Sequence, residues 1–291
     1  MIVPSKFVTG TSLLFCMAIG PLAAQDAAPA LQPQTPLPWA YALNTPGAPV
    51  LVDTGVARTV PGSSRQFAFS ELRNLYSPPD WHSDEHPALP PIVASGRNPG
   101  VFACAYCHLP NGQGRPENAS LTGLPAEYII QQMADYRAGL RQGSEPQMGP
   151  PNNMRAIGLN ATAEEVEQAA AYFASLTPRK WITVIETDTV PETEVSGWMY
   201  IELEGGGTEP LGNRILEMPF DLERTELRDD SSGFIAYVPL GSVARGKALA
   251  EDTNGKLRPC AYCHGDNLKG MGPVPALAGR SPSYIARQLY D

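Results

Sequence analysis

Apolar positions recur at helical spacing in two stretches of the chain. In LPAEYIIQQMADYRAGLRQG (124–143), Ile129, Met133, Tyr136 and Leu140 fall on one face. Pro125 suits the first turn, Glu127 the positive helix start, and Arg141 and Gly143 the end. In ATAEEVEQAAAYFASLTP (161–178), Thr162 and Glu165 form a capping box, Val166, Ala170 and Phe173 align, and Pro178 closes the helix. The EPQMGPPNNM stretch between them reads as irregular. Further on, ITVIET, GWMYIELE and GFIAYVP are rich in β-branched and aromatic residues and are broken by glycine and proline, which predicts short strands in a small β-rich connector over 179–240. Residues 25–65 are rich in proline and alanine without periodicity and read as an extended leader.

The N-terminus has its own pattern. One positive charge in MIVPSK, a short apolar run FVTGTSLLFCMAIG and the small residues of PLAAQ predict a secretory signal peptide over 1–24, cut after Ala24. No later apolar run approaches the length of a membrane helix, so the mature chain is expected without a transmembrane segment and in the periplasm.

Length and composition add bounds. The 291 residues suffice for two domains, and 43% hydrophobic with 18% charged residues is a globular balance. A formal charge of -9 with no run of Lys or Arg argues against nucleic acid and for partner proteins with basic docking surfaces. Of five cysteines, Cys16 lies in the signal segment; the other four all sit in two copies of CAYCH, at 104–108 and 260–264.

Those copies begin a repeat. At a constant offset of 156, positions 104–135 and 260–291 share 13 identities over 32 residues without a gap, among them Asn111 with Asn267, Gly114 with Gly270, Tyr128 with Tyr284 and Asp135 with Asp291. The second copy starts the same helix with Ser281 and Pro282, then stops at Asp291 before that helix is complete, which reads as a truncated second unit.

The pentad has several chemical readings. A closed zinc site wants four ligands, and each copy offers three. A thioredoxin-type pair belongs at a helix start after a strand, and no βαβ pattern surrounds either copy. Structural cysteines leave the histidine unexplained. Covalent haem accounts for every letter: two thiols add to the vinyl groups of one porphyrin, and the adjoining histidine is held beneath the iron.

With LTGLPAEYIIQQMADYRAGLR and MRAIGLNATAEEVEQAAAYFASL around the first pentad, residues 95–178 and 241–291 resemble class I cytochrome c domains, most nearly the soluble tandem di-haem cytochromes c of the bacterial periplasm. The resemblance implies a mainly α fold: two helical haem domains in tandem, the first at 66–178, the second incomplete at 241–291, joined by the β-rich connector. It implies two c-type haems, bound by Cys104, Cys107 and His108 and by Cys260, Cys263 and His264. It also implies a methionine as sixth ligand, with Met154 ahead of the final helix as first choice and Met148 as the alternative. Met133 reads as core and Met271 as a loop residue. Family members place a proline carbonyl on the other histidine nitrogen; Pro275 fits that place in the second copy, where the first has Ala119. His82 and His86, four apart beside Pro87, read as solvated, with a reserve role as distal ligands. The function so implied is electron carriage, one electron per haem, without catalysis and without a small-molecule substrate at a closed haem. A di-haem peroxidase-like enzyme with one open iron and a haem-based sensor or assembly factor are the alternatives.

Overall fold

A computed structural model describes residues 32–45, 53–251, 255 and 258–291; the signal peptide expected over 1–24, with Cys16, lies outside them. The first helical unit contains α1 (Phe69–Leu72), α2 (Pro91–Ala94), α3 (Cys104–His108), α4 (Ala126–Ala138), α5 (Gly149–Asn160) and α6 (Ala163–Ser175). No described helix is long and apolar enough to cross a membrane.

Helix α6 starts where the capping box requires. Thr162 Oγ1 accepts from the Glu165 N–H at 3.2 Å, and the Glu165 carboxylate accepts from the Thr162 N–H at 2.8 Å. Val166, Ala170 and Phe173 are buried and pack with Val93, Val101 and Ile129 into the core of the unit. Helix α4 is shorter than its periodicity suggests. Pro125 is its N-cap rather than a first-turn residue, and Gly139, left-handed at φ 72°, ends it by donating to the carbonyls of Asp135 and Tyr136. Leu140 therefore falls past the helix and is 80% exposed instead of lying on the apolar face.

The stretch expected to be irregular forms α5. Pro150 and Pro151 occupy its first turn, where the missing N–H groups have no intrahelical acceptor to lose, so prolines that look like breakers open the helix instead. Helix α5 lies close on α4 at Gly158, where an added Cβ would stand 2.9 Å from Cβ of Tyr136.

Residues 182–238 are dominated by short strands, so the mainly α expectation suits the first unit and not this part. The strands are β1 (Ile182–Glu186), β2 (Thr189–Pro191), β3 (Thr193–Ser196), β4 (Met199–Glu202), β5 (Thr208–Pro210), β6 (Leu216–Pro219) and, after α7 (Leu222–Glu226), β7 (Phe234–Val238). Central β7 pairs in parallel with β1 and antiparallel with β6; β2 pairs with β5, and β3 with β4. Alternate residues Phe234, Ala236 and Val238 of β7 are buried, the period-two pattern of a strand with one covered face. This β-rich part sits directly on the first helical unit: Trp181, Met199 and Phe234 enclose Leu109, and the Trp181 indole donates to the Gly114 carbonyl at 3.0 Å.

Part of the expected leader is packed rather than extended. A 3-10 turn at Pro38–Ala40 precedes Tyr41 and Leu43, and these bury against Met148. Apolar Tyr41 and Leu43 find a hydrophobic partner in the loop before α5, which proline and alanine content alone could not reveal.

After β7 come α8 (Ser242–Glu251), α9 (Ala261–His264) and α10 (Pro282–Tyr290). Ser281 caps α10 by accepting from the Tyr284 N–H at 3.0 Å. Two arginines fasten this helix to the first unit. Arg287, buried, donates to the carbonyls of Ala40 and Pro116, and Arg280 donates to Ser120 and Thr122. Asp291 accepts from the Tyr41 hydroxyl at 2.5 Å.

Candidate functional site

The first pentad lies along α3, a helix that ends when Leu109 turns to φ 63°. Cys104 and Cys107 are one turn apart, so both sulfurs reach the same side, and both line a cavity of about 650 Å³. His108, Met133 and Met154 line the same cavity, with Ile129 and Phe173 among its apolar walls.

His108 is 5% exposed. Its Nδ1 lies 2.7 Å from the carbonyl oxygen of Ala119. A carbonyl only accepts, so Nδ1 carries the proton and Nε2 keeps its lone pair free for a metal. Burial pulls this histidine below its ordinary pKa, which favours the neutral, ligating form. The alanine thus supplies the carbonyl that proline supplies in the second copy.

The cysteines are free thiols and are not paired with one another. Burial pushes Cys104 up to about 12 and raises Cys107 as well. A redox dithiol needs a depressed pKa, so these surroundings oppose thiolate chemistry and suit sulfurs held as neutral thioethers.

Met154 projects from α5 into the cavity. Met148, at the N-cap of that helix, is 1% exposed within the cluster of Ala40, Tyr41, Leu43 and Trp198 and is not among the cavity-lining residues. The alternative ligand is thereby committed to core packing with the chain's N-terminal part. His82 and His86 are also absent from the lining, and neither is solvated. His82 is 4% exposed and sits 3.0 Å from Asp229. His86 Nε2 lies 3.1 Å from Asp80, and that hydrogen bond raises its pKa against the opposing effect of burial.

Part of the wall comes from residues that pattern reasoning missed. Arg115, Glu117, Trp198 and Arg228 all line the cavity. Arg115 pairs with Glu117 at 2.8 Å, and Arg228 donates to the carbonyls of Leu72 and Tyr106. No spacing ties Trp198 or Arg228 to the pentad, so only the fold could place them there. Two guanidinium groups, Arg115 buried and Arg228 half-buried, beside an apolar slot with two thiols and a free imidazole nitrogen fit a porphyrin with acidic side groups.

The second pentad repeats the local geometry. His264 Nδ1 lies 2.8 Å from the Pro275 carbonyl, and the Gly270 N–H donates to the His264 carbonyl at 2.7 Å, as the Gly114 N–H donates to His108 at 2.9 Å. Its surroundings differ: Cys260 and Cys263 are exposed, and Met271 is 54% exposed.

Residues 99–177 match the family described as cytochrome c. Cytochrome c4 of Azotobacter vinelandii is 32% identical over 79 residues, which make up 26% of this chain and 36% of that protein, so the match spans about a third of the relative's length. Among solved structures, the thiosulfate dehydrogenase (TsdBA) of Marichromatium purpuratum aligns with a TM-score of 0.42 and 24% identity over 68% of this chain and 31% of that one.

Proposed function

We propose that this protein, whose residues 99–177 match the cytochrome c family, holds covalent haem at Cys104, Cys107 and His108 and passes single electrons between proteins. The observation that carries the reading is the convergence of both thiols, the neutral imidazole and the Met154 thioether on one cavity. Haem bound there supplies the reversible one-electron chemistry of its iron. Cys104 and Cys107 anchor the ring, and Ala119 fixes the plane of the His108 imidazole through Nδ1. Met154 would offer its thioether to the same group, and the apolar side chains of Ile129 and Phe173 keep water from the slot. With His108 and Met154 both engaged by that group, the site would exchange electrons and exclude small-molecule substrates.

The second pentad holds a second haem in the same reading, on Cys260, Cys263 and His264, supported by the repeated histidine-to-carbonyl bond. The segment 1–24 exports the chain to the periplasm, and its acidic balance steers it to basic docking surfaces. The test is a pyridine haemochrome assay on the exported, purified protein. Two haems per chain that resist extraction into acidified organic solvent support the proposal. Extractable pigment overturns it, and one haem per chain removes the second site.

A further inference from the structure

Away from the cavity, three side chains from distant parts of the sequence converge. His82, Asp229 and Asp230 are 4%, 1% and 1% exposed, and each offers a ligand atom within 4.8 Å of the others. The Nε2 of His82 is 3.0 Å from Oδ1 of Asp229. Two donors about 2.1 Å from one cation stand roughly 3.0 to 3.4 Å apart at octahedral or tetrahedral angles, so this pair already has the length of a coordination edge. Asp229 is oriented for that role. Its Oδ1 accepts from the N–H and hydroxyl of Ser231 at 2.9 and 2.8 Å, and its Oδ2 accepts from Arg224 at 2.7 Å.

Asp230 supplies the second, independent observation. Its Oδ1 is buried without any hydrogen-bond partner. Buried carboxylate oxygens are nearly always satisfied, because an unpaired one forfeits its hydration with nothing in return. Here the residue that carries the unsatisfied oxygen belongs to the same cluster as an imidazole and a second carboxylate. Ser231 and Arg224 satisfy Asp229, whereas Oδ1 of Asp230 has no hydrogen-bond donor, although the charges of Arg179 and His86 lie near it.

We propose that His82, Asp229 and Asp230 bind one divalent first-row transition-metal ion, with zinc preferred over manganese. Two carboxylates balance the ion's charge. The imidazole selects against calcium and magnesium, which want oxygen ligands in greater number. Zinc outranks manganese at such mixed nitrogen and oxygen sites. The ion ties residue 82 to residues 229 and 230, next to Trp81, whose indole donates to the Leu227 carbonyl at 2.8 Å. It thus locks the β-rich part, including the Arg228 wall of the cavity, onto the chain ahead of the first pentad.

The experiment uses the full-length pigmented protein, stripped with EDTA and titrated calorimetrically with ZnCl₂, MnCl₂ or CaCl₂, with thermal unfolding followed in parallel. One zinc binds per chain at this site, more tightly than manganese, and raises Tm by several degrees. Asp230→Asn, which preserves shape, removes that zinc or weakens it about tenfold or more, with the haem spectrum unchanged. His82→Gln repeats the loss. The proposal is overturned if zinc leaves Tm unmoved, if Asp230→Asn binds zinc as the parent does, or if calcium alone binds. It is likewise overturned if Asp230→Asn raises Tm with no metal bound by the parent, which would leave an ion pair between His82 and Asp229 only. Because the readout is zinc rather than pigment, failure here is separable from failure of the haem reading.

Discussion

Arg228 Nη1 donates to the carbonyl oxygen of Tyr106 at 2.5 Å, and the guanidinium carbon stands 3.6 Å from the centre of the Tyr106 ring. Tyr106 is the middle letter of the first pentad, so the β-rich part reaches into the motif itself. Burial lowers the pKa of Arg228, with Arg115 close by acting in the same direction. Arg228→Ala removes the hydrogen bonds to Leu72 and Tyr106 together with the stacking. It is expected to lower stability by about 2 to 3 kcal/mol in urea unfolding. If haem is bound as proposed, loss of this cation from the cavity wall is also expected to lower its reduction potential, which potentiometry reads.

The two candidate methionines have opposite expected phenotypes. With haem bound as proposed, Met154→Ala is expected to open its iron to imidazole or azide and to abolish the far-red charge-transfer band. Met148→Ala leaves that band intact and instead destabilises the fold by about 2 to 5 kcal/mol through a cavity among Ala40, Tyr41 and Leu43. Absorbance spectra and denaturant titration of both variants separate the roles.

Arg97 grips Glu165 through two nitrogens, at 2.6 and 3.2 Å, and the hydrogen bond holds the Glu165 carboxyl below its ordinary pKa. A carboxylate depressed in the folded state stabilises fully above its unfolded pKa and loses that contribution as pH falls through the folded one. Glu165→Gln keeps a capping amide on α6 but not the charge. Its stability deficit against the parent should be constant near neutral pH and shrink as the pH is lowered below about 4.5, the unfolded value. A deficit unchanged at low pH would assign the effect to capping alone.

Arg280 donates to the Ser120 carbonyl at 3.1 Å and to the Thr122 carbonyl at 2.9 Å. Ala119, whose carbonyl holds His108, is the preceding residue. The segment just ahead of α10 therefore steadies the loop that orients the first imidazole. Arg280→Gln should lower stability by about 1 to 2 kcal/mol and shift the potential of the first haem. A loss of stability with the potential unmoved would confine Arg280 to a structural part.

What was legible in the sequence was local. The pentads, the 156-residue repeat and the Thr162–Glu165 box all rest on residues within a few positions of one another or on direct self-comparison, and α3, α6 and α10 follow them. Helix α5 was missed because two prolines and two asparagines read as a loop, although prolines in a first turn sacrifice no hydrogen bond. The cavity wall from Trp198 and Arg228 was not legible, since it depends on how 182–238 docks rather than on any pattern within it. The same holds for His82, which looked like a solvent-facing residue until Asp229, 147 positions away, came to lie against it.

The enclosure around the first pentad draws on Asn44, Arg73, Met154, Trp198 and Arg228, a span of most of the chain. CAYCH, by contrast, is complete within five consecutive residues. If haem is held there as proposed, a chain whose strands have not yet docked would present the two thiols before residues distant in sequence wall them in. On that reading the pigment would be a component of folding, since in the folded chain Cys104 and Cys107 are already half-buried in the cavity wall.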